Sequence, residues 1–165
     1  MCIKPKKRNR RGNVIAEMPV VIYLLIVGLL IPCIALATYG YRAVMVYMCV
    51  RDSAYQASKS TSFTNAQANA LKTWTTDSQA WTGVTGTIQT FIVTEPGNNA
   101  QLTKLGAAYD PAKTYMIRVA ANCTLIPLWG SNGTWLGMSI PGFTAPLPIT
   151  LNYSYYAENP QGLDK

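Results

Sequence analysis

The sequence predicts an α+β protein: a long N-terminal transmembrane helix that extends into a small antiparallel-sheet ectodomain with one or two helices. Three observations carry this reading. Residues 18–41 contain no charged side chain. Residues 42–60 continue without Gly or Pro and keep one apolar face. Of three later stretches, one is rich in β-branched and aromatic residues and two alternate apolar and polar side chains with the period of a half-covered strand.

The helix comes first. The 24 residues from 18 to 41 would span roughly 36 Å as an α-helix, enough to cross the hydrocarbon core of a bilayer. Charge sets its direction. The formal net charge is +7, and six of the 14 basic residues (Lys4, Lys6, Lys7, Arg8, Arg10, Arg11) lie in the first eleven positions. That leaves eight Lys/Arg against seven Asp/Glu, so the remainder is close to neutral and has no basic stripe for nucleic acid. A basic cluster directly before an apolar helix stays on the cytoplasmic side. The expected order is a cytoplasmic leader over 1–12, a transmembrane helix over 13–41, and an exported domain over 42–165 that begins with a helical extension over 42–60. Pro19 falls near the first turns of a helix starting at Asn13, where a missing N–H matters least. Pro32 lies mid-helix and should kink it or open its hydrogen-bond ladder.

Beyond the span, Val46, Cys49, Val50, Ala54 and Ala57 recur at helical spacing, with Arg51, Asp52 and Lys59 on other faces. A second helix is expected over 65–81. Thr64 and Gln67 have capping-box spacing, and Ala66, Ala70, Leu71 and Trp74 form an apolar stripe. Strands are expected over 86–94, 115–125 and 147–157. In the second, Tyr115, Ile117, Val119, Ala121, Cys123 and Leu125 share one parity. Pro146 and Pro148 put the start of the last strand at a sheet edge. Residues 127–146 are rich in Gly and Pro and read as a loop.

The available chemistry is narrow. The chain has no histidine, which removes His-based acid–base catalysis and His-ligated zinc. The exported carboxylates Asp77, Glu95, Asp110, Glu158 and Asp164 are dispersed, and no phosphate-binding glycine loop occurs. No enzyme activity, metal or cofactor is expected. Of four cysteines, Cys33 lies in the apolar run, and Cys49 and Cys123 lie in the exported part. Those two could form one disulfide or remain free thiols.

Glu17 needs an account: an ionised carboxylate inside a bilayer costs several kcal/mol unless neutralised or paired, whereas one at the interface costs little. It stands five residues after Gly12. The run Arg10-Arg11-Gly12, then Asn13-Val14-Ile15-Ala16-Glu17, then a long apolar helix, resembles the class III signal of type IV pilins and pseudopilins. With the segment Ala43–Ser58, it is most similar to the TadE-like pseudopilins of tight-adherence pilus systems. The resemblance covers residues 8–60. It implies cleavage by a prepilin peptidase between Gly12 and Asn13. It also implies that Glu17 contacts the new amino group of Asn13 on a neighbouring subunit during assembly. The partners it implies are the peptidase, other pilin or pseudopilin subunits, inner-membrane pilus assembly proteins and membrane lipid.

Two other readings compete. Ala35-Leu36-Ala37 is a signal-peptidase pattern that would release a soluble secreted domain by cutting before Thr38. An uncleaved helix would instead leave a plainly membrane-anchored binding protein.

Overall fold

The structure is a computed structural model that describes residues 11–95, 110–128, 134, 137–140 and 144–163, with side chains from Glu17 onward. The basic residues at 1–10, Trp129, Trp135 and part of the Gly/Pro-rich loop lie outside that set.

A helical rod opens the chain. Helix α1 covers Arg11–Leu25, a π-helical turn covers Ile26–Leu30, and α2 covers Ile31–Ser58. Pro19 lies inside α1. The π turn directly precedes Pro32. Proline has no N–H to give the carbonyl four residues back. The ladder widens there, with the Ile31 N–H bonded to the Ile26 carbonyl.

The upper part of α2 is amphipathic as expected. Val46, Cys49, Val50, Ala54 and Ala57 are all buried, while Arg51, Asp52 and Lys59 are exposed. Helix α3, Phe63–Gln79, turns back beside α2. Its cap is Ser62, whose hydroxyl accepts from the Asn65 N–H at 3.3 Å, and not Thr64. The earlier start buries Phe63, so the packed stripe is Phe63, Ala66, Ala70 and Trp74, and Leu71 is left exposed. The helix ends at Gln79, before Trp81.

Three strands follow: β1 Val84–Glu95, β2 Thr114–Leu125 and β3 Leu147–Tyr156. They form one antiparallel sheet in the order β1-β2-β3, with β2 central and β3 at an edge. The expected parity of β2 holds: Tyr115, Ile117, Val119, Ala121, Cys123 and Leu125 are all buried. This face carries the helices, α2 over β2 and β3, and α3 over β1. The chain's end closes the far side of the core. The Glu158 N–H bonds the Ser58 carbonyl at 2.9 Å, and Leu163 is buried. Gly162 lies so close to the Thr61 carbonyl that a Cβ there would overlap it.

Candidate functional site: the N-terminal helix and its junction with the domain

The helical rod has two unlike halves. From Met18 to Ile34 nearly every side chain is apolar and none is buried. Val21, Tyr23, Leu24 and Leu29 are each about 60% exposed in a region with no charge. The helix Glu17–Ser58 is 42 residues long, and its most apolar 18-residue window has a mean hydropathy of 2.9. It is the one helix among the described residues long and apolar enough to cross a membrane, and it lies near the N-terminus.

Glu17 is exposed at the lower end of this apolar stretch. The single ion pair among the described residues is Lys113–Asp110 at 3.6 Å, so the Glu17 carboxylate has no ion-pair partner within them. Gly12, Asn13 and Glu17 all lie on α1.

The upper half of the rod is clamped to the domain. Contact begins inside the predicted span, where Ala35 and Tyr39 are buried. The Tyr39 hydroxyl lies 3.0 Å from the Leu125 carbonyl and 3.4 Å from the Ala145 carbonyl, and so caps the ends of two strands. One turn on, the Arg42 guanidinium donates to the Ile126 carbonyl. The same guanidinium lies against Gly83, whose φ of +85° suits a residue without Cβ, and a Cβ there would meet it. The Ile126 N–H completes the ring by donating to the Gly83 carbonyl at 2.9 Å. This collar of Tyr39, Arg42 and Gly83 was not foreseen from sequence. Its one visible signal was Arg42, the first charge after the apolar run.

Farther up, the rod meets β3 through aromatic rings. Tyr47 packs edge-on against Tyr153 at 5.7 Å, and Tyr55 packs against Tyr155 at 5.5 Å. The Arg51 Nε donates to the Tyr155 hydroxyl at 3.3 Å, and the Lys59 ammonium sits 3.9 Å over the Tyr55 ring. Tyr153 and Tyr155 thus serve helix–sheet packing, and Tyr156 is turned outward.

Cys49 and Cys123 are both buried free thiols in the core between α2 and β2. Burial, with a smaller contribution from nearby Cys49, pushes the Cys123 thiol up to about 11. The thiolate, the form that reacts, is correspondingly scarce at neutral pH. Asp77 on α3 also titrates higher than an ordinary aspartate, first because it is partly buried and second because Asp52 repels its charge. No protein-family model, curated protein or solved structure matches the chain.

Proposed function

We propose that the chain is a TadE-like pseudopilin, a non-enzymatic single-span membrane subunit of a tight-adherence pilus or related secretion apparatus. The observation that carries the reading is a continuous helix with a bare apolar lower half, an exposed carboxylate at the foot of it, and an upper half fixed to a folded domain. A helix of this kind can anchor the domain in a membrane and can equally pack among copies of itself. In this reading the leader is cytoplasmic, the domain lies outside the cytoplasm, and prepilin peptidase cuts between Gly12 and Asn13. Other pilin or pseudopilin subunits and inner-membrane assembly proteins are its partners.

Glu17 then acts by charge. Its carboxylate would meet the free amino group of Asn13 on a neighbouring subunit in a region of low dielectric. Attraction there is strong, but desolvation offsets much of it, so the pair fixes register more than it adds stability. Ala35, which a cut before Thr38 would remove, is buried, and this supports an uncut helix over release there. The Glu17→Ala variant tests the proposal. It is expected to insert in the membrane at the wild-type level and to lose co-assembly with partner subunits, read by cross-linking in the native host. Wild-type co-assembly would overturn the role given to Glu17.

A further inference from the structure

We infer that the end of the domain nearest the apolar helix rests on the outer leaflet of the bilayer, with the end of β2 and the exposed Leu128 beyond it at headgroup depth. The inference rests on the reading of the helix as a membrane span. A hydrocarbon core about 30 Å thick takes about 20 helical residues. If Glu17 marks one boundary, the other falls near Leu36. Tyr39 lies three residues on, about 5 Å farther along the axis. That distance is within the headgroup layer, which adds several ångströms on each side of the core.

The domain is fixed to the helix at this level. The Tyr39 hydroxyl bonds the Leu125 and Ala145 carbonyls, and Arg42 bonds the Ile126 carbonyl. The strand ends therefore sit level with the expected interface, not on a stalk above it. The surface at this end suits such a position. Leu128 is 45% exposed, Met138 56% and Tyr41 56%. The Tyr41 ring meets Trp81 edge-on at 6.2 Å. Tyrosine and tryptophan are enriched at membrane–water interfaces, where one end of the ring is apolar and the other wet.

Charge is distributed to match. No Asp, Glu, Lys or Arg occurs between Arg118 and Glu158, the interval that contains the whole β2–β3 connection. Lys113, Asp110 and Glu95 fall at the opposite end of the sheet, around the pairing of Thr114 with Glu95. The end of the sheet with Lys113, Asp110 and Glu95 faces away from the lipid, and at the end that faces it the Arg42 guanidinium is held on the Ile126 carbonyl, a place for a cation at headgroup depth. An apolar rim of this kind on a free domain would attract other proteins. Here the membrane crossed by the adjoining helix is the surface that covers it.

The test uses the full chain in phosphatidylcholine–phosphatidylglycerol vesicles, in a background with Cys2→Ser and Cys33→Ala. Single cysteines carrying a nitroxide are placed by Leu128→Cys, Met138→Cys, Lys113→Cys and Leu25→Cys. All four side chains are exposed, so each label is tolerated by the fold. Collision with oxygen, which concentrates in lipid, is compared with collision with a water-soluble nickel chelate. The oxygen-to-nickel ratio at 128 and 138 is expected to be several-fold above that at 113, approaching that at 25. A high ratio at 25 with ratios at 128 and 138 equal to that at 113 would overturn the docking and leave the span intact. Labels at 128 and 138 shielded from both agents would assign the rim to a protein contact and also overturn it. A low ratio at 25 would remove the span, and the docking with it.

Discussion

Asp77 shows how a single residue holds stability in reserve. Its position on α3 leaves it partly buried and within reach of Asp52, and both effects disfavour the carboxylate. A carboxyl with a raised folded-state pKa stabilises the fold while it is protonated. That contribution is complete below the unfolded pKa and is lost as pH rises through the folded value. At neutral pH the ionised group therefore works against the fold. Asp77→Asn is expected to raise the thermal midpoint at about pH 7, and the gain should vanish at about pH 3, where wild-type Asp77 is itself protonated. Thermal unfolding in detergent at the two pH values measures this. An equal gain at both would assign the effect to packing.

At the scale of elements, the upper part of α2 and the central strand were legible because each has one covered face. Five apolar positions from Val46 to Ala57 and six from Tyr115 to Leu125 point to the core at the expected periods. The start of α3 was less legible, because Ser60, Thr61, Ser62 and Thr64 are all chemically able to cap. Ser62 prevails because the resulting register buries Phe63 under the sheet, and tertiary packing decides among equivalent caps. The same register turns Leu71 outward. The collar was not legible at all. Tyr39 bonds carbonyls 86 and 106 residues away, and no local pattern reports such a contact.

The collar can be tested as an element. Tyr39→Phe removes the one hydroxyl proton that the Leu125 and Ala145 carbonyls share but keeps the ring, and should cost about 1 kcal/mol. Arg42→Ala leaves the Ile126 carbonyl without its donor and opens the space over Gly83, and should cost more, about 2 kcal/mol. Denaturant unfolding of the detergent-solubilised chain measures both. Values near zero for both would mean that helix and sheet are held together by the core alone.

For the whole molecule, the helix is the organising feature, because one uninterrupted element joins a lipid-suited rod to the core of a folded domain. Its lower half follows from composition: the stretch from Met18 to Ile34 is apolar, and none of its side chains is buried by the described residues. Glu17 and the junction after Gly12 acquire meaning at this scale. They lie in the part of the rod far from the sheet, and in this account another subunit meets them there. The most direct measurement is the N-terminal residue of the mature protein purified from its native host. The account predicts a chain that begins at Asn13. A chain beginning at Thr38, or one that retains the leader, would contradict it.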